Sequence, residues 1–161
     1  MSCGPLHGIQ VLDITHMYAG PYCAQWLGDM GAEVIKVEST GRGDRLRYGP
    51  PSTMMNGKNG KNGKNGKMAY NFLAVNRNKR SIAADLATEE GRLIVYRLVE
   101  RSDVFLHNLR AATVNKLALA YEDLKQINPG LVYASISGFG DGGPYKDLPG
   151  QDLQVQAMAG L

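Results

Sequence analysis

With 43% of its 161 residues apolar and 20% charged, the chain is long enough for one globular domain with a real core, or for part of a larger one. Its net charge of +3 does not mark a face for nucleic acid: four of the eighteen Lys and Arg, Lys58, Lys61, Lys64 and Lys67, sit in one tandem repeat, and removing them takes the charge from +3 to −1. Two cysteines, Cys3 and Cys23, exclude a disulfide framework or a thiolate metal site and fit a reducing compartment.

No run approaches the roughly twenty apolar residues that span a bilayer, so no membrane partner is expected. Met1 to Ile9 carries no apolar signal core and no arginine-rich transit segment, which points to a cytoplasmic protein and leaves a mitochondrial one open.

In chain order, Ile9 to Ile14 is a short apolar run bounded by Gly8 and Thr15, and it predicts a buried strand. Pro21 marks the start of a helix whose apolar positions are Cys23, Ala24, Trp26, Leu27 and Met30, with Gly31 closing it. Val34 to Val37 is the second strand. Strand, helix and strand on short connections open a parallel sheet with a right-handed crossover.

Ser39 to Asn78 is read as a stretch of low regularity, centred on Asn56-Gly57-Lys58 repeated four times through Lys67. A tract this polar buries nothing and predicts a flexible surface loop at 56–67. The plain reading is an insertion tolerated at a loop tip, because long surface loops cost little closure entropy. The sharper reading is a cationic flap over an anionic ligand. Deletion of the repeat leaves ligand affinity nearly unchanged on the plain reading and sharply reduced on the other.

The alternation resumes with a strand at Ser81 to Leu86 and a helix capped by Thr88, with Glu89 and Glu90 in its first turn. A strand at Val104 to Leu106 follows, then helical pieces at Thr113 to Leu119 and Tyr121 to Ile127. After the Asn128-Pro129-Gly130 turn comes a strand at Leu131 to Ile136, and a last helix starts near Asp152. The fold expected is α/β, an open Rossmann-like parallel sheet with helices on both faces, incomplete at the C-terminus.

Such sheets bind ligands outside the carboxyl ends of their strands. Thr15 to Pro21 holds one glycine in place of G-x-G-x-x-G, so a nicotinamide cofactor is not expected. Gly41-Arg42-Gly43-Asp44 is too short for a nucleotide-phosphate loop. Arg42, Arg45, Arg47, Arg77, Lys79, Arg80, Arg110 and Lys116 come from loops and element ends; each is a solvated surface charge or, as a group, a source of phosphate ligands. His16, at the end of the first strand, suits either a ligand hydrogen bond or a half-buried structural role; His7 and His107 are read as structural.

Several blocks together carry a specific likeness. They are Pro5 to Asp13, Ala19-Gly20-Pro21-Tyr22, Gly31 to Glu38, Asn76-Arg77-Asn78-Lys79-Arg80-Ser81-Ile82, Tyr133 to Gly140 and Gly143-Pro144-Tyr145. They cover nearly the whole chain outside the repeat, and in this order they resemble the N-terminal part of a family III CoA-transferase. That family includes the formyl-CoA, carnitine and succinyl-CoA-dependent transferases and alpha-methylacyl-CoA racemase.

The resemblance implies an acyl-CoA bound to a partial α/β domain at 1–161, with a small carboxylic acid as second substrate, no metal and an interlocked homodimer. It places His16, Ala19, Ala84, Asp85, Leu86, Asn108, Leu109, Arg110 and Lys116 against CoA. Ser39 stands where the family commonly has arginine, Ala87 where lysine is common, and Arg110-Ala111-Ala112 where Arg-Pro-Gly is usual, all of which point to reduced CoA affinity.

By the same resemblance Gly150 and Asp152 belong to the substrate loop, although a helix N-cap is an equally good role for Asp152. The family's nucleophilic aspartate is expected beyond Leu161, so no catalytic residue is assigned within the chain. Gln151 occupies the position of the racemase branch's proton-transferring histidine, and an amide has no suitable pKa; transfer is favoured over racemisation. The alternative to a transferase is a non-catalytic fragment or degenerate CoA-binding module. A further expectation is that the last helix packs on chain beyond Leu161, leaving Leu153, Val155, Met158 and Leu161 partly exposed and the segment poorly able to fold alone.

Overall fold

The computed structural model describes residues 4–48, 52–54 and 67–161. The flexible-loop expectation for 56–67 falls, apart from Lys67, outside the described residues, as does Cys3.

Five strands, β1 (Gln10–Asp13), β2 (Glu33–Glu38), β5 (Lys79–Ala83), β6 (Val104–His107) and β7 (Val132–Ser135), form one sheet in the order β5-β2-β1-β6-β7. Every neighbouring pair is parallel. The chain lays strands outward from β1 in one direction, then returns to its other side and lays them in the other. The order therefore reverses between β1 and β6, which defines the crevice where doubly wound sheets take ligands.

Both faces of the central strands are buried, and that accounts for their near-continuous apolar runs. On one face Val11, Val34 and Leu106 meet Ala24 and Leu27 of α1 (Ala19–Asp29). On the other, Leu12, Ile14 and Phe105 meet Val95 and Val99 of α3 (Glu89–Val99), together with Val114 of α4 (Ala111–Lys116) and Leu124 of α5 (Tyr121–Leu124). Each such side chain contributes about 1.5–3 kcal/mol by leaving water.

Helix α1 begins two residues before Pro21, which therefore sits in the first turn where no intrahelical N–H is required; Gly31 follows the helix at φ +102°. Its buried stripe differs from the expected one. Ala24 and Gln25 are buried, whereas Trp26 is 54% exposed and Cys23 is a free, exposed thiol. Thr88 caps α3 as expected, its hydroxyl accepting the Gly91 N–H at 3.1 Å.

The stretch 39–78 is more regular than its composition suggests. It contains a 3-10 turn (Arg45–Tyr48), an antiparallel pair β3 (Ser52–Met54) and β4 (Lys67–Ala69), and α2 (Tyr70–Val75). Leu46, Met68, Ala69, Phe72 and Val75 make a second small core there, too dispersed in sequence to show a period.

The expected strand at 81–86 runs instead from Lys79 to Ala83, because Asp85 turns the chain: its carboxylate accepts the Ala87 N–H and its carbonyl the Thr88 N–H. Helix α6 (Asp152–Ala159) has Gln151 at its N-cap, not Asp152, whose carboxylate accepts from Gln156 Nε2 at 2.9 Å. The apolar side chains Leu153, Val155 and Met158 of α6 are exposed. Among the described residues no helix is long and apolar enough to cross a membrane, and no cluster of His, Cys, Asp and Glu is placed to hold a metal.

Candidate functional site

After β1 the chain leaves the sheet at the crevice through Thr15, His16 and Met17, and side chains from elsewhere take up the polar backbone of this turn. Asp13 Oδ1 accepts the Thr15 N–H at 2.8 Å, and Lys36 Nζ donates to the Thr15 carbonyl at 2.6 Å. Asn108 accepts the His16 N–H at 2.8 Å and donates to the His16 carbonyl at 2.7 Å. Asp44 Oδ1 accepts the Met17 N–H at 3.2 Å. Met17 adopts φ +67°, a conformation costing about 1–3 kcal/mol in a non-glycine residue, which these bonds offset. A Cβ on Gly20 would lie 2.3 Å from Thr15 Cβ, so the Ala-Gly-Pro turn needs glycine for α1 to close onto the end of the strand.

Beneath the turn four charged groups are buried together. Lys79 Nζ donates to Asp13 Oδ2 at 3.0 Å, the Pro21 carbonyl at 2.7 Å and Asn76 Oδ1 at 3.0 Å. Lys36 Nζ lies 3.2 Å from Asp44 Oδ2 and 4.0 Å from Asp13 Oδ2. Two ammonium groups face two carboxylates, which is the condition for keeping such charges away from water. Burial draws the Lys79 pKa down against the opposing pull of Asp13.

Alongside, Glu38 accepts from Arg47 through both oxygens, from the Asp44 N–H at 2.8 Å and from the Ser81 hydroxyl at 2.8 Å. Burial alone would raise the Glu38 carboxyl. The Arg47 and Ser81 hydrogen bonds, the Asp44 N–H and the Arg47 charge outweigh it and hold the pKa at about 2.

A pocket of ≈ 250 Å³ opens at the carboxyl edge, walled by Ile14, Val37 and Leu117 and by the residues discussed next. Of the sequence-derived candidates, His16, Ala84, Asp85, Leu86 and Leu109 line it. Asn108 stands behind His16 as its backbone clamp. Ala19 opens α1 and is exposed; Arg110 precedes α4 and Lys116 ends it, both exposed and outside the lining. Gly150 packs against Gly138, where a Cβ on either glycine would meet the other's Cα at 2.4 Å; neither Gly150 nor Asp152 borders the pocket.

Glu38, Ser39 and Ala87 also form its wall, so the two positions at which the resemblance leads one to expect cations face the pocket with uncharged side chains. Burial lowers the His16 pKa below its usual value, against the opposing Asp44 charge, and so favours the neutral ring.

The cation group expected from the sequence divides in two. Arg47 is committed to Glu38 and lies 3.8 Å over the Phe72 ring, Arg77 pairs with Asp29, Lys79 with Asp13, and Arg80 with Glu33. Arg47 and Lys79 are buried in their pairs and serve the fold, whereas the Arg77 and Arg80 pairs are solvent-exposed. Arg42, Arg45, Arg110 and Lys116 make no ion pair among the described residues. His107 is buried between Phe105 and Tyr133, with Nδ1 accepting the Leu109 N–H at 3.3 Å, in keeping with its structural reading.

The sheet order β5-β2-β1-β6-β7, the Ala-Gly-Pro turn closing on β1 and the pocket between the ends of β1, β2, β5 and β6 make this a doubly wound α/β domain with its cavity at the carboxyl edge. The chain belongs to CoA-transferase family III, whose family model matches residues 6–161.

It is 46% identical over 158 residues to the succinate–glutarate CoA-transferase of Agrobacterium fabrum, covering 98% of this chain and 38% of that protein. The succinyl-CoA:glutarate CoA-transferase of Mus musculus is 42% identical, with 99% of this chain and 34% of that protein covered. Among solved structures, a CAIB/BAIF family protein from Brucella suis superposes with a TM-score of 0.89 at 45% identity, over 99% of this chain and 40% of that one. The chain thus spans between a third and two fifths of the length of these relatives.

Proposed function

We propose that residues 1–161 supply the CoA-binding α/β domain of a transferase that moves CoA from an acyl-CoA thioester to a free carboxylic acid. The observation that carries this is the pocket at the strand-order reversal. Its walls, His16, Ala84 to Ala87 and Leu109, coincide with most of the segments that the family resemblance sets against CoA. The Agrobacterium fabrum and Mus musculus relatives are CoA-transferases of succinate and glutarate, which favours donors and acceptors of that type.

In this reading the apolar walls take the adenosine or pantetheine arm. His16, neutral and rigidly backed, offers a hydrogen bond at the mouth. Arg42, Arg45, Arg110 and Lys116, which make no ion pair among the described residues, are the cations this reading sets against phosphate. The acyl exchange itself falls to a carboxylate that attacks the donor thioester, expelling CoA as thiolate and forming a mixed anhydride. The thiolate attacks the enzyme carbonyl, releasing the donor acid and leaving an enzyme thioester. The acceptor carboxylate attacks that thioester to give a second anhydride, and the freed thiolate attacks its acyl carbonyl, yielding the new acyl-CoA and the enzyme carboxylate. By resemblance that aspartate lies beyond Leu161, and the working enzyme is an interlocked homodimer.

Incubation of the full-length protein with succinyl-CoA and glutarate is expected to yield glutaryl-CoA and succinate without net hydrolysis. Absence of exchange across a panel of dicarboxylates, with CoA still bound, refutes transfer and leaves CoA binding alone. The uncharged Ser39 and Ala87 in the pocket wall favour the degenerate form of that second reading, a module that binds CoA weakly and does not turn it over. It predicts no acyl adduct by mass spectrometry.

A further inference from the structure

We propose that Asp44 is a positioning residue for His16, acting through the peptides on either side of that histidine. The inference rests on the CoA reading for the identity of the ligand, but its geometry stands apart from it. Asp44 is fully buried and comes from a segment 27 residues away in sequence. One oxygen accepts both the Met17 N–H at 3.2 Å and the Leu46 N–H at 3.0 Å, joining the ligand-facing turn to the 3-10 turn. The other lies 3.2 Å from Lys36 Nζ, which donates to the Thr15 carbonyl. The Lys36–Asp44 pair therefore grips the carbonyl before His16 and the amide after it.

Asp44 is itself aimed. Its N–H donates to Glu38 Oε2, the carboxylate that Arg47 locks, and Gly43 before it sits at φ +68° with no room for a Cβ, which would meet Glu38 Oε2 at 2.6 Å. Asn108 holds the His16 backbone itself, and side-chain packing adds little beyond it, because Met17 and Tyr18 are 48% and 46% exposed. Nor does stability require an ion pair there: a well-packed apolar pair often replaces a buried one without loss. What apolar side chains cannot do is fix two peptide groups in direction, and that is what this pair does.

The test uses Asp44→Asn, which keeps the shape and the Oδ1 acceptor but removes the charge facing Lys36, and Asp44→Ala, which removes both. Three readouts are taken on the full chain: the NMR titration of the His16 imidazole, amide hydrogen exchange at Met17 against Leu12 and Phe105, and CoA affinity by calorimetry. The groups facing His16 are Asp44, Lys36, Asp13 and Glu38. Loss of the Asp44 charge is expected to move its titration to lower pH. Exchange at Met17 is expected to rise about tenfold or more in Asp44→Ala while Leu12 and Phe105 stay protected, and CoA affinity to fall about tenfold.

An unchanged His16 titration with unchanged Met17 exchange overturns the inference. So does a loss of protection shared equally by Met17, Leu12 and Phe105, which marks a purely structural role. If Asp44→Ala does not fold, Asp44→Asn decides: raised exchange at Met17 with Leu12 and Phe105 still protected supports the inference, and unchanged Met17 exchange overturns it. Failure of the wild-type protein to bind CoA overturns the ligand reading alone, because the His16 and Met17 readouts require no ligand.

Discussion

Asn108 holds both polar groups of the His16 backbone, accepting its N–H at 2.8 Å and donating to its carbonyl at 2.7 Å, across 92 residues of sequence. The two residues follow β1 and β6, the strands between which the sheet order reverses, so one amide side chain closes the floor of the crevice. Alanine at 108 leaves two partly buried peptide groups without partners. Asn108→Ala is expected to weaken CoA binding about tenfold, with a smaller loss of thermal stability. Calorimetric titration reads this directly, and an affinity equal to wild type refutes the clamp.

Gly91 makes the other wall of the pocket possible. A Cβ at this buried position in the first turn of α3 would lie 1.8 Å from the Asp85 carbonyl oxygen, so alanine forces apart the helix and the Ala84 to Ala87 turn. Gly91→Ala is expected to cost about 1–3 kcal/mol in urea denaturation and to weaken CoA binding as well. Retained stability with retained binding contradicts this packing.

These residues show where sequence reasoning reaches and where it stops. The alternation of short apolar runs with capped helices is a local signal, and it located β1, α1, β2, α3, β6 and β7 to within a few residues. Thr88 and Pro21 acted at the helix starts as their chemistry predicts. Of the strand-end loops singled out in the sequence, those after β1 and β5 do line the pocket, at His16 and at Ala84 to Ala87. What stayed hidden depends on partners distant in sequence. Lys36 and Asp44 read as ordinary charges until the fold buries them together, and Lys79 and Arg47 read as surface charges or phosphate ligands until Asp13 and Glu38 are seen beside them. Gly43 and Asp44 gave the one visible hint, a glycine preceding an acid in a short turn, but in sequence it looks like a failed phosphate loop. The small core of Leu46, Met68 and Phe72 has no period because the repeat interrupts it.

Asp13 faces both buried lysines, at 3.0 Å from Lys79 and 4.0 Å from Lys36, and its other oxygen ties down Thr15. Removing one member of a buried charge cluster strands its partners in a medium that solvates them poorly. Asp13→Ala is expected to destabilise by about 3–5 kcal/mol, a large part of a domain's total stability. Urea denaturation at pH 7 measures it. A loss no greater than that of an exposed pair such as Arg80–Glu33, about 0–1 kcal/mol, shows that the cluster relaxes by admitting water.

Glu38 sets the acid limit of this arrangement. Its folded pKa of about 2 lies below the ordinary value of 4.5, because Arg47, Ser81 and the Asp44 N–H prefer the carboxylate strongly enough to overcome burial. A depressed folded pKa means that the unfolded chain binds the proton first. The stabilisation is therefore fully present above about pH 4.5 and is lost as pH falls from there towards about 2. The shift corresponds to about 3 kcal/mol, an order-of-magnitude figure. Glu38→Gln is expected to lower stability at pH 7 and to flatten the profile between pH 5 and pH 2. The wild-type protein should lose stability steeply there, and with Glu38 protonated the Asp44 N–H and Arg47 are released together, loosening the turn that carries His16. Urea midpoints at half-unit pH steps check this, and parallel profiles for the two proteins show that Glu38 is not the titrating group.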